Sequence, residues 1–238
     1  MTSADKRHGE ATGESLGDLV AIHVWDWPVR LFHWSIVALV VIAVVTSYIG
    51  GDAKEWHMRA GYGVLAMVLF RILWGFAGTR HARFASFVRG PRTAIRYARS
   101  FARRAPQAMV GHNPLGGWSV IALLLALLVQ AGTGLFANDD VLMEGPLVKF
   151  ISDALSDRIT TLHHLNVWAI GILVGMHIAA VISHWIVARE NLVRPMLTGR
   201  KRLHRSLEPE GLDKVPHVRA IALLAASVFT VWWTVTRL

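Results

Sequence analysis

Five stretches of the chain are apolar for about the thickness of a bilayer, and polar or charged segments separate them: about 31–49, 57–76, 116–136, 161–188 and 219–237. A helix rises about 1.5 Å per residue and needs about 20 apolar residues to span, so each stretch predicts a transmembrane helix. The last is shorter, but it has almost no polar face and reads as a span rather than a surface-lying helix. The fourth stretch, TLHHLNVWAIGILVGMHIAAVISHWIVA from Thr161 to Ala188, contains no Asp, Glu, Lys or Arg, yet it carries His163, His164, His177 and His184. A polar side chain is costly inside a membrane, so these histidines need a reason.

Spacing sorts them. His163 and His177 are 14 residues apart, which puts them within about 40° of one face and about 21 Å apart along the axis. His164 faces about 220° away from His177, and His184 lies about 31 Å from His163, at the far headgroup level. His33 opens the first predicted helix and His57 the second. Alternating helix directions then bring His57 to the level of His163, and His33 towards His177. By residue counting His33 is shallower than His177, which calls for an offset or tilt. A lone buried histidine usually hydrogen-bonds to a neighbouring helix. Two pairs at two depths instead suit axial ligation of two stacked metal cofactors.

Between the spans, charge is distributed unevenly. Residues 79–115 hold eight arginines (Arg80, Arg83, Arg89, Arg92, Arg96, Arg99, Arg103, Arg104) and no acid. Arg189, Arg194, Arg200, Lys201, Arg202 and Arg205 follow the fourth span, whereas 137–160 carries Asp139, Asp140, Glu144, Asp153 and Asp157 against Lys149 and Arg158. The two basic connectors fall on one side, which the positive-inside rule makes cytoplasmic, with the N-terminus cytoplasmic and the C-terminus periplasmic. The predicted organisation is a flexible cytoplasmic tail (1–22, without a cleavable signal pattern), a four-helix bundle (23–197), a basic connector (198–218) and an additional C-terminal transmembrane helix (219–238). Within the first basic loop, PRTAIRYARSFARR sets Arg92, Arg96, Arg99 and Arg103 on one face and Ile95, Ala98 and Ala102 on another, as a helix resting on the inner leaflet would. On the acidic side, PLVKFISDAL (146–155) reads as a short amphipathic helix.

Composition narrows the chemistry. The chain is 53% hydrophobic, and its net charge of +9 sits in loops between spans, so it is no nucleic-acid signal. With no cysteine, disulfides, thiolate-held iron–sulfur clusters and covalent c-type haem are excluded. Bis-histidine ligation fits low-spin haem b, suited to electron transfer and without an open position for substrate. Zinc or copper fits less well, because such sites gather their ligands at one point. Arg71 interrupts the second span 14 residues after His57, at the level of the second pair. A buried guanidinium needs an anion, and no span contains a carboxylate, so a haem propionate is one partner, with Arg30 a second cation for it. The other reading of Arg71 is that it snorkels to the headgroups. Gly61, Gly63, Gly132, Gly134, Gly171 and Gly175 would make room for flat porphyrins or for ordinary helix packing.

VRLFHW with His33, WHMRAGY with His57, FRILWG with Arg71, and HHLNVWAIGILVGMH with His163 and His177 resemble the bacterial cytochrome b561-type proteins. Their relatives include the b-type cytochrome subunits of nickel–iron hydrogenases and formate dehydrogenases. The resemblance covers roughly residues 24–197, with HWIVARENLVRPM after the fourth span also similar. It implies an all-α membrane bundle in which these four histidines bind two haems, and electron passage between the quinone pool and a redox partner. The favoured function is an electron-transfer subunit of the bacterial inner membrane, linking quinone to a periplasmic c-type cytochrome or iron–sulfur partner. Hydride, hydrogen or formate chemistry would belong to that partner. A free-standing superoxide:quinone oxidoreductase and a non-redox proton relay or transporter are the alternatives, and neither broken helices nor inverted repeats favour the last.

Overall fold

The computed structural model describes residues 19–104, 109–138, 144–204 and 214–238. Strand β1 (Leu19–His23) leads into α1 (Trp27–Ile49), followed by α2 (Ala53–Ala77), the short α3 (Phe84–Phe87), α4 (Pro91–Ala102) and α5 (Pro114–Gly134). After a single 3-10 turn at Val148–Phe150 come α6 (Asp153–Val187), α7 (Val193–Thr198), β2 (Arg200–His204) and α8 (His217–Arg237). Five of these helices, α1, α2, α5, α6 and α8, are long and apolar enough to cross a membrane. The predicted spans are therefore all present. The fourth begins earlier than expected, because Asp153–Leu155 are the first turn of α6 rather than the end of a separate amphipathic helix.

Local chemistry sets the helix starts. Asp26 accepts the Val29 amide at 2.8 Å, and Pro28 sits in the first turn of α1, where its missing N–H costs nothing. Asn113 and Pro114 repeat this device at α5, with the Gly116 amide donating to Asn113 at 2.8 Å.

Packing centres on α2. It lies against α1, α5 and α8, and Val68, Phe70 and Trp74 are fully enclosed. Lipid tails are as apolar as these side chains, so helix association here rests on close packing rather than on leaving water. A Cβ at Gly63 would lie 2.9 Å from Leu39 Cδ2, so the glycine lets α1 and α2 approach closely. The fifth helix belongs to the bundle: Ala220, Ser227 and Val231 of α8 are buried against it. By contrast α6 packs mainly on α5 and makes no comparable contact with α1 or α2.

One end of the bundle carries a cap that the hydrophobic pattern does not predict. β1 pairs antiparallel with β2, from Leu19 opposite His204 to His23 opposite Arg200. Leu19–Ile22 are thus ordered strand rather than the end of a flexible tail, and the basic connector begins as strand; residues 1–18 and 205–213 lie outside the described residues. The amides of Val24 and Trp25 both donate to the Gly199 carbonyl, at 2.9 and 3.2 Å. Gly199 ends α7 at φ +78°, where only glycine is unstrained, and a Cβ there would sit 2.8 Å from the Trp25 carbonyl oxygen. Lys201 pairs with Glu190 and donates to the Met109 carbonyl at 2.5 Å. The two arginine-rich connectors therefore meet at this basic end. At the opposite end Glu144, Asp153 and Asp157 are exposed, while Asp139 and Asp140 lie outside the described residues.

The basic helix α4 forms as expected, with Arg92, Arg96 and Arg99 exposed, but it buries a different face. Ala94 and Tyr97 are enclosed and Ile95 is not, because Tyr97 reaches across to α6, as described next.

Candidate functional site

The six histidines singled out from the spacing take three kinds of position. His33 and His177 face each other with ring centroids 6.4 Å apart, and His57 and His163 do so at 6.3 Å. A metal–imidazole bond is about 2 Å and a ring nitrogen lies about 1.2 Å from its centroid, so two imidazoles across one metal sit about 6.4 Å apart. Both pairs have this separation. Among the described residues no three His, Asp or Glu side chains converge on one point. Each pair could hold one metal between two imidazoles, and a planar group such as haem would supply the other donors.

The acidic-end pair is held by its other nitrogens. His57 Nδ1 donates to the Ala43 carbonyl at 2.7 Å, which leaves Nε2 with its lone pair. The Thr133 hydroxyl donates to the Val129 carbonyl and so accepts from His163 Nδ1 at 3.1 Å. The Gln130 amide donates to His163 Nε2 at 3.0 Å, and its own carbonyl oxygen accepts from Asn166 at 2.8 Å. Gln130 thus covers the nitrogen that a metal would take. A Cβ at Gly134 would stand 3.2 Å from His163 Cε1, so this glycine clears room for the ring. Gly61, Gly132, Gly171 and Gly175 have no atom within 4 Å of such a Cβ.

Near the basic-end pair several enclosed polar atoms have no hydrogen-bond partner among the described residues: His33 Nδ1, Arg30 Nε, Arg71 Nη1 and His112 Nδ1. Arg71 is 2% exposed, its guanidinium over the rings of Phe84 (5.1 Å) and Phe87 (5.9 Å). It does not snorkel to the surface. Arg30 is partly committed elsewhere, donating through Nη1 to the Leu197 carbonyl at 2.6 Å. Asp26 lies outside the spans and escapes a search for acids within them. Its buried carboxylate accepts from Val29 N, Trp74 Nε1 (3.0 Å) and Thr79 Oγ1 (2.7 Å).

The remaining two histidines differ. His164 is exposed, its ring edge-on to His163 at 6.2 Å but outside both facing pairs. His184 is buried and saturated. Its Nδ1 donates to the Ala180 carbonyl at 2.9 Å, and Nε2 accepts from Tyr97 Oη at 3.2 Å and Asn113 Nδ2 at 3.0 Å. The phenol of Tyr97 titrates above its ordinary range because it is buried and faces the charge of Glu190, so it remains a donor. His184 joins α4, α6 and the start of α5. His184→Ala strands two donors and is expected to cost about 1–3 kcal/mol in thermal or denaturant unfolding while leaving bound cofactor per folded chain unchanged.

The arrangement defines an all-α, multi-pass membrane protein with two histidine pairs at two depths. The chain belongs to the prokaryotic cytochrome b561 family, whose model matches residues 24–199. It is similar to the probable nickel–iron hydrogenase b-type cytochrome subunits of Rhodobacter capsulatus (27% identical, covering 88% of this chain and 92% of that one) and Bradyrhizobium diazoefficiens (26%, covering 81% and 91%). The corresponding hydrogenase 1 subunit of Escherichia coli is 25% identical, covering 76% and 91%. No solved structure matches. Membership makes the protein a membrane electron-transfer cytochrome of the b type, and so a carrier of haem b.

Proposed function

We propose that the chain is the di-haem b subunit of a bacterial inner-membrane oxidoreductase, passing electrons between quinone and a redox partner. The observation that carries this reading is the presence of two histidine pairs, each at the separation expected across one metal. His57 with His163 and His33 with His177 are the axial ligands, and residues 23–197 form the unit that holds both haems. Haem b ligated in this way accepts and returns one electron without binding substrate.

The chain's own groups do the rest. Ala43 and Thr133 fix the ring orientation of the acidic-end ligands, a support of the kind worth 10–100-fold in metal affinity. Arg71, together with Arg30, would neutralise propionate charge at the basic end. The positive-inside rule puts that end and the N-terminus in the cytoplasm, and the C-terminus in the periplasm.

An apolar groove of about 570 Å³ supports quinone at the basic end, with Trp27, Arg30, Leu31, Trp34, Met196 and Leu197 among its walls. Trp34 packs edge-on against His33 at 4.9 Å, so a ring in this groove lies next to that pair. The relatives' names point to a hydrogenase as the catalytic partner, with a periplasmic c-type cytochrome or another iron–sulfur subunit as the alternative. The exposed Glu144, Asp153 and Asp157 favour a basic partner surface and would repel superoxide.

Pyridine haemochrome analysis of the purified protein should give two haem b per chain, and stopped-flow mixing with a quinol should reduce both. A chain that holds zinc or copper in place of haem, or haems that no quinol reduces, would overturn the reading. Arg71→Leu should lower the potential of the basic-end haem only, since loss of a cation favours the ferric state. A unit charge about 10 Å away at an effective dielectric of about 20 is worth about 1.7 kcal/mol, or about 70 mV. Redox titration measures it.

A further inference from the structure

His112 lies in the short loop before α5, on no hydrophobic period, and its environment is unlike that of a loop residue. Its ring sits between Trp25, edge-on at 4.5 Å, and Phe87 at 4.5 Å, and its Nδ1 is closed off from solvent without a partner. Phe87 is also one of the two rings beneath the Arg71 guanidinium, whose Nη1 is enclosed and unpartnered as well. Burial above all, then the fields of Arg71, His81 and His177, hold the His112 pKa well below the ordinary range, so the imidazole is neutral and offers one N–H.

The loop that presents His112 is fastened on both sides. Lys201 holds the Met109 carbonyl, and Asn113 both caps α5 and donates to His184. Two enclosed donors, one of them cationic, call for an anion with two acceptor oxygens. Asp26 is the buried carboxylate nearby, but Val29, Trp74 and Thr79 already occupy it.

We propose that His112 Nδ1 and Arg71 Nη1 together form a carboxylate-binding site, and that its ligand is a propionate of the haem held by His33 and His177. The inference rests on the di-haem reading above and adds the loop before α5 to the cofactor's binding surface.

The test uses the full-length protein with haem as incorporated in the cell, comparing His112→Leu, His112→Phe and His112→Gln by haem content and redox titration. Leu and Phe remove the donor, Phe while still filling the space beside Trp25; Gln keeps an N–H. Under the proposal, Leu and Phe lower the midpoint of the basic-end haem or deplete that haem, Gln restores it, and the acidic-end haem is unchanged in all three. Should Leu fail to accumulate, Phe against Gln makes the same comparison. Unchanged content and potentials in Leu and Phe would overturn it, as would equal loss in all three variants, which marks the ring's shape rather than its donor. A shift confined to the acidic-end haem would also overturn it. Failure of the di-haem reading shows separately, as wild-type protein without two haems.

Discussion

His163→Ala should yield a protein that binds one haem instead of two, with the acidic-end haem gone and the basic-end haem spectrally intact. Under the proposed ligation, the substitution removes one of the two imidazoles that would hold that haem. His164 is the adjacent residue, but its side chain is exposed and belongs to neither facing pair, so His164→Ala should keep both haems. His57→Ala should match His163→Ala, and His33→Ala or His177→Ala should remove the other haem. Thr133→Val is a milder version, because it takes away the acceptor that orients His163; an affinity loss of about 10–100-fold is expected. Haem-to-protein ratios and reduced-minus-oxidised spectra decide the matter. Loss of a haem in His164→Ala with retention in His163→Ala would show that the doublet was assigned the wrong way round.

The second large effect is structural. Asp26→Ala should destabilise the protein by roughly 3–5 kcal/mol, the range for removing one partner of a buried charged network. Three donors converge on this carboxylate from α1, α2 and the turn after α2, and the residue is 3% exposed. Asp26→Asn should cost less, since one oxygen remains for the Val29 amide, but its amide nitrogen then meets Trp74 or Thr79 donor to donor. A melting temperature lowered by about 10 °C in detergent is expected for the alanine variant, at about 2–4 °C per kcal/mol. An unchanged transition would mean that water or lipid headgroups replace the lost acceptor.

What was readable in the residues follows from how far each signal extends. His163 and His177 are legible because one unbroken helix carries both, and a 14-residue interval fixes their face and their depth. Their partners follow from topology alone, since successive membrane spans must cross in alternating directions. The central place of α2 was not legible. Its histidine and arginine read as exceptions in an ordinary span, and nothing in a uniformly apolar helix says how many neighbours it touches. Likewise LVAIH and RKRLH are each too short to mark a strand, and their pairing joins segments at opposite ends of the chain. His112 and Asp26 escaped for a related reason. Both stand just outside helices, where no period applies, and only the folded cap brings them to Arg71 and Trp74.

The ribbon of β1 and β2 also sets an order of assembly. About 180 residues separate its two strands, so at a synthesis rate of about 5–20 residues per second the first strand waits about 10–40 s for its partner. Four of the five spans have by then left the ribosome. During that interval Trp25 lacks Gly199 and the loop before α5 lacks Lys201, so the basic end stands unfastened. The chain is closed from one side of the membrane, late, and by residues that the spans themselves do not supply.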